Sequence, residues 1–340
     1  MADRPGSYED RVLGCLLGTM AGDAYGLLHA AGDDPLTVLD DPADLVVSDA
    51  THLTLYTVDG LVDALEWAND GVAADETACL WLAYLRWLGR QGEHLPPSAP
   101  APPARWIDSR DDLLPVHEPD ADTVRALLTG EMGTRARPLN SRAQGAGALM
   151  RSAPFGLVPR IPASMVERLT VDAAALTHGS PAARSTAALF SGIIRSLAIE
   201  GLSLDEAVHA EHAEERHLAE DIGHDDTRGM TTGDAASGCA AGRTRTGDTT
   251  AAGTFEAALQ AAREGVASSS PPDQLAAALA HAAAAGRSDA SPVVAASLAG
   301  AIVGALRGTD ALPSAYLSAP GVADVVRSMA TSLLAATTGA

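Results

Sequence analysis

Apolar residues recur along most of the chain every three to four positions, the period of one helix face. Leu53, Leu55, Val58, Leu61, Val62 and Leu65 keep that period through 51–69, and Trp81, Tyr84 and Trp87 stand three apart in 77–88. The same pattern predicts helices over 11–30, 162–176, 180–199, 203–219, 254–266, 272–284, 292–306 and 322–336. Asp205 and Glu206 open the 203–219 segment, where the positive end of the macrodipole favours acids. Strict apolar–polar alternation persists nowhere, so no strand is predicted. The expected fold class is all-α, a single bundle of packed helices spanning residues 1–340.

Two stretches break the pattern. Residues 91–138 hold many prolines and the acidic trio Asp108, Asp111 and Asp112. They predict an irregular excursion with one short helix near 122–128. Residues 223–253 are rich in Gly, Thr, Asp and Ser and predict a mobile loop. Within the first helix, Gly14, Gly18 and Gly22 fall four apart on one face, so that a second helix can approach closely.

Composition supports the helical reading. Aromatic residues are 4% of the chain while alanine is abundant, which suits close helix packing better than a twisted sheet. With 46% hydrophobic and 20% charged residues the chain has the make-up of a globular domain. The formal net charge of -21 argues against nucleic acid or an anionic membrane as a partner. There is no lysine, which excludes a Schiff-base or P-loop lysine. Cys15, Cys79 and Cys239 are scattered and form no CxxC pair, so neither a disulfide framework nor a zinc site is expected. No apolar signal core opens the chain and no uninterrupted apolar run reaches membrane-spanning length, so a cytoplasmic location is expected.

Three polar segments stand out. Ser48-Asp49-Ala50-Thr51 precedes a helix and reads either as an N-cap or as a ligand-holding turn. Gln144 to Arg151 is dense in glycine, through Gly145 and Gly147, and reads as a simple turn or as a backbone cradle for phosphate. Gly286-Arg287-Ser288-Asp289-Ala290 again precedes a helix, with capping as the plain alternative. Thr177-His178-Gly179 separates two helices, and His178 is equally a cap or a ligand contact.

In this order and spacing the segments resemble the ADP-ribosylglycohydrolase family. Gly22-Asp23-Ala24-Tyr25-Gly26 is similar to its Gly-Asp-Ala-Leu-Gly pattern, and Ser48-Asp49-Ala50-Thr51 to its Thr-Asp-Asp-Thr. Gly145-Ala146-Gly147-Ala148-Leu149-Met150-Arg151 resembles Gly-Asn-Gly-Ala-Leu-Met-Arg, and Gly286 to Ala290 sits at its Gly-Asp-Thr-Asp-Thr loop. The resemblance implies a compact orthogonal multi-helix bundle with a two-magnesium centre. It implies removal of ADP-ribose from proteins or small molecules by cleavage of an N- or O-glycosidic bond. On this reading Asp49, Asp289 and Arg287 are the catalytic candidates. Asp23, Gly145, Gly147, Met150, Arg151 and His178 are the ligand-binding candidates, and Ser48, Asp49 and Asp289 are the remnant metal ligands.

The chain departs from the family where charge matters most. Ala50 replaces the second aspartate of the first triplet, Arg287 the first aspartate of the last loop, and Ala290 its threonine. The family's glutamate after the first helix would fall near Ala30. Two aspartates and an added guanidinium are poorly matched to two divalent cations. Mg²⁺ is therefore expected to bind weakly or not at all, with Arg287 pairing with Asp49 or Asp289. The functional expectations are a divergent hydrolase of ADP-ribose or a related ribosyl nucleotide, a pseudoenzyme that binds nucleotide-sugar or docks a protein, or a biosynthetic enzyme using the same cleft. Gly223 to Thr227 repeats an Asp-Asp-Thr out of register with the family and is expected to be unrelated to the site, the alternative being that this loop folds over the cleft and supplies replacement carboxylates.

Overall fold

The computed structural model describes residues 6–114, 119–212 and 249–338. Among these residues every regular element is a helix. The long helices are α1 (Tyr8–Ala31), α3 (Asp49–Asn69), α4 (Glu76–Arg90), α7 (Ala163–Ala175), α8 (Pro181–Ala198), α10 (Ala251–Val266), α11 (Pro271–Ala283), α12 (Pro292–Arg307) and α13 (Val322–Thr338). Short helices α2 (Thr37–Asp40), α5 (Ala121–Leu127) and α6 (Ala153–Gly156) lie between them, and 204–212 is helical as α9. Where both ends are described, the period-based boundaries hold to within about three residues, with α10 starting at Ala251 rather than 254, while the end predicted at 219 lies outside the described residues. The Asp-Asp-Thr run at 225–227 and most of the predicted 223–253 loop lie outside the described residues.

Local chemistry fixes the ends of these helices. Ser7, Ser48, Asp75, Asp120, Thr250, Ser270 and Ser291 each turn a side-chain oxygen back onto an amide of the first turn. Such caps satisfy donors that the helix itself leaves orphaned.

The most extensive helix pair is α1 against α12. A Cβ added at Gly14, Gly18 or Gly22 would collide with the backbone of Gly308, Gly300 or Ala296, and additions at Gly300 and Gly304 would collide with Gly18 and Gly14 in return. Glycine is required here by the closeness of two backbones. Residues 292–311 are apolar and long enough to cross a membrane by length and composition, but 67% of that window is buried inside the protein. The amino-terminal half of α1 and nearly all of α12 are core.

The Pro-rich excursion is held by charge. Asp59 of α3 is buried between Arg86 of α4 and Arg105 of the excursion, and Arg105 also reaches Asp63 and Glu66. Arg86 also faces Asp108, whose carboxylate accepts from Tyr56. Truncating one member of such a buried network strands its partners.

Candidate functional site

Asp23 is fully buried on α1, yet both its oxygens are used. Ser48 donates its amide (2.8 Å) and hydroxyl (2.6 Å), and Thr51 donates its amide (3.1 Å) and hydroxyl (2.6 Å). One carboxylate thus ties the N-terminus of α3 to the middle of the bundle. Burial pushes its pKa up, against the lowering effect of these four donors. Ser48 is in addition the N-cap, accepting from the Ala50 amide. The capping alternative for Ser48 is therefore the geometry observed.

Asp49, the first residue of α3, is 5% exposed and accepts the Asp120 amide on Oδ2 at 2.6 Å. Asp120 is the N-cap of α5, with its side chain accepting from Thr123. The same carboxylate lies 3.6 Å from Nε2 of His178, which has no exposed surface. That separation is an ion-pair distance rather than a hydrogen bond, and Nε2 has no hydrogen-bond partner among the described residues. Burial holds the His178 pKa down, so the ring is neutral near pH 7.

The tautomer of His178 follows from its neighbours. Arg151 donates to the Thr177 hydroxyl at 2.7 Å, and that hydroxyl lies 2.9 Å from His178 Nδ1. A hydroxyl that already accepts from a guanidinium is free to send its own proton to Nδ1. We therefore assign the imidazole proton to Nε2, facing the Asp120 carboxylate. Arg151 itself is 1% exposed, stacks 4.1 Å from the centre of the Tyr84 ring and also reaches the Ala173 carbonyl. Its partners are protein groups, and through Thr177 it orients the histidine.

The glycine-dense loop lies against this cluster. A Cβ on Gly147 would come within 2.6 Å of both Asp120 Oδ2 and His178 Cε1, so only glycine fits. Gly145 lies near His178 and Asp122. Among the described residues, no acceptor takes the amides of Gly145, Ala146 or Gly147. The Met150 carbonyl accepts from Thr54 of α3, which anchors the end of the loop, and the Met150 side chain is buried.

The third segment is built differently. Arg287 donates to both oxygens of Asp289, Nε at 3.1 Å and NH2 at 3.0 Å, and pairs with Glu256 at 3.2 Å. The pair is open to water, 39% and 45% exposed for the two side chains. The guanidinium holds the Asp289 carboxyl below the usual carboxylate range. Of the two partners expected for Arg287, the fold supplies Asp289. The Asp289 carbonyl accepts the Thr250 amide and the Gln144 carbonyl accepts the Ala251 amide, so the start of α10 joins this loop to the glycine loop. Asp120 and Asp122 were not among the expected site residues. The visible signal for Asp120 is the spacing Asp120-x-x-Thr123 before a short helix.

A model of the ADP-ribosylglycohydrolase family matches residues 4–340. The chain belongs to the ADP-ribosylglycohydrolase family. Its fold is similar to that of a solved structure described as an ADP-ribosylglycohydrolase-related protein complex, with a TM-score of 0.59 and 20% identity over 97% of this chain and 99% of that one. No curated protein matches. Within the family frame, the donor set can be compared with what a two-magnesium centre needs. Ser48 is committed to Asp23 and Ala50, one oxygen of Asp49 to Asp120, and both oxygens of Asp289 to Arg287. Among the described residues, no group of three or more His, Cys, Asp or Glu side chains is placed to hold a metal ion.

Proposed function

We propose that this family member binds ADP-ribose, free or attached to a protein or small molecule, or a related ribosyl nucleotide, without the family's two-magnesium centre and without magnesium-dependent hydrolysis. The observation that carries the reading is the two-pronged bond from Arg287 to Asp289. Magnesium needs several unencumbered oxygens in octahedral array, and here the guanidinium already occupies both oxygens of that carboxylate. The donor set does not fit two divalent ions, and no step is routed through them.

The ribose end of the ligand belongs at Asp49, Asp120 and His178. Carboxylates accept from vicinal hydroxyls, with the neutral Nε2–H of His178 facing Asp120 from the buried side, whereas the same carboxylates repel a phosphate. The amides of Gly145, Ala146 and Gly147 offer the place for an anionic group. A second reading, metal-independent hydrolysis of an N- or O-glycosidic bond, is favoured by the Asp49–Asp120–His178 arrangement, in which Asp49 would accept a proton from the attacking water, the departing oxygen or nitrogen would take its proton from solvent, and neutral His178 would hold Asp120 in place.

Calorimetry with ADP-ribose, in Mg²⁺ and in EDTA, separates these readings when run beside release of ADP-ribose from modified arginine and serine peptides. The expected result is binding unchanged by magnesium, weakened about tenfold by Asp120→Asn, and no magnesium-stimulated release. Slow release insensitive to EDTA and lost in His178→Asn selects the second reading. Magnesium-dependent release abolished by Asp49→Ala overturns both.

A further inference from the structure

The carboxy-terminal half of α1 carries a second apolar stripe that the other described residues cover fully only at Ala24. Ala24, Leu27, Leu28 and Ala31 fall on one helix face, at the i, i+3, i+4, i+7 spacing. The segment that returns from α1 to α3 crosses this face through Thr37, Asp41, Asp44, Leu45 and Val46 and leaves a cavity of about 530 Å³. A hollow of this size falls within the range that encloses a small organic molecule.

The covering segment sets the charge of the mouth. Residues 32–45 contain Asp33, Asp34, Asp40, Asp41 and Asp44 and no basic residue. Asp41 uses one oxygen on the Ala43 amide. Among the described residues, neither Asp41 nor Asp44 forms an ion pair. Two exposed carboxylates beside a low-dielectric wall concentrate a positive potential source at that mouth, namely a cationic ligand, and reject an anionic one. ADP-ribose, with its diphosphate, is the wrong sign for this cavity.

We propose that the hollow between α1 and the 37–46 segment is a binding site for a small organic cation, an amine or guanidine with an apolar body, separate from the ribosyl-nucleotide site. The apolar body lies against Leu27, Leu28, Leu45 and Val46, and the cationic head meets Asp41 and Asp44. This assignment stands whether or not the chain binds nucleotide.

Phenethylamine and its uncharged counterpart 2-phenylethanol are the probes, titrated into the full chain at pH 7 by calorimetry and ligand-observed NMR. The expected result is saturable binding, with the amine preferred about tenfold. The Asp41→Asn, Asp44→Asn double variant removes that preference, and Ala31→Trp, a change at an exposed position of the lining, weakens both probes. All of these positions are at the surface, so the variants keep the wild-type unfolding midpoint. Equal affinity for amine and alcohol, a preference that survives the double variant, or no saturable binding of either probe overturns the proposal. Displacement of the amine by ADP-ribose overturns its separateness from the nucleotide site.

Discussion

At the N-terminus of α3, carboxylates turn inward; in the 285–291 loop they turn outward. Asp23 is buried and meets four donors from Ser48 and Thr51, and Asp49 beside it is covered by the start of α5. Asp289 instead meets one side-chain partner, Arg287, at a solvent-exposed position. In the first region the acids are part of how the helix is held, so replacing them disturbs the fold. In the second the acid is answered by one side chain two residues away, so the charge balance can be rewritten locally. The contrast implies that a carboxylate is most easily repurposed where it is not also a strut.

The two regions are joined by α1 and α12, and that joint is where the comparison breaks most completely. Gly22, next to Asp23, touches the Ala296 backbone one turn into α12, shortly after the 285–291 loop. Gly22→Ala must push the helices apart, because the colliding atoms are main chain rather than a movable side chain. We expect a loss of about 3 kcal/mol or more, or failure to fold, read as the urea midpoint. A midpoint within error of wild type would show that the α1–α12 contact is slack.

Asp23→Ala comes next. It strands two amides and two hydroxyls at the head of α3, two of these donors on buried Thr51 and two on part-buried Ser48, at an expected cost of about 2–3 kcal/mol. The pH dependence has a definite sign. The folded pKa of Asp23 lies above its unfolded value, so its contribution is full below the ordinary carboxylate pKa near 4 and is lost as pH rises through the folded value. The stability difference between wild type and Asp23→Asn should therefore widen on acidification. A difference that narrows would mean that the four donors outweigh burial.

These contrasts show which parts of the molecule can be read along the chain. Helix positions are legible because the apolar period and the capping residues Ser48, Asp75, Ser270 and Ser291 act locally. The close approach of α1 to α12 is half legible: three glycines on one face announce a neighbour but not which one. The site is less so. Asp120 belongs to a Pro-rich stretch without periodicity, and nothing local says that its amide reaches Asp49 across 71 positions. Arg151 reads as a ligand contact by its charge and its place after the glycines, but tertiary packing stacks it on Tyr84 and points it at Thr177. The pairing of Arg287 was legible only as far as Asp49 or Asp289; the fold supplies Asp289, two residues away in the same short loop.

Arg287→Asp tests the outer region from the other side. It frees both oxygens of Asp289 and adds a carboxylate where the family resemblance expects one. Calorimetry with Mg²⁺ should show about tenfold tighter binding than wild type, because two added oxygen donors replace one guanidinium. Combining it with Ala50→Asp should add further affinity, at a stability cost, since Ala50 is buried and the new acid needs the metal to offset its desolvation. If neither variant binds magnesium, the loss of the centre lies in backbone placement rather than in side-chain charge.

The smallest effect is expected at Asp289 itself. Asp289→Asn removes an exposed acid, and exposed pairs contribute little, so the neutral-pH unfolding midpoint should stay at the wild-type value. Here the pH sign is the reverse of that for Asp23. The folded pKa is lowered by Arg287, so whatever the pair contributes is present above the ordinary carboxylate range and fades as pH falls through the lowered value. Wild type and Asp289→Asn should therefore coincide in acid and differ, if measurably, only above it. A clear loss of stability in Asp289→Asn at neutral pH would mean that this loop, like the head of α3, is held together by its carboxylate, and the contrast between the two regions would fail.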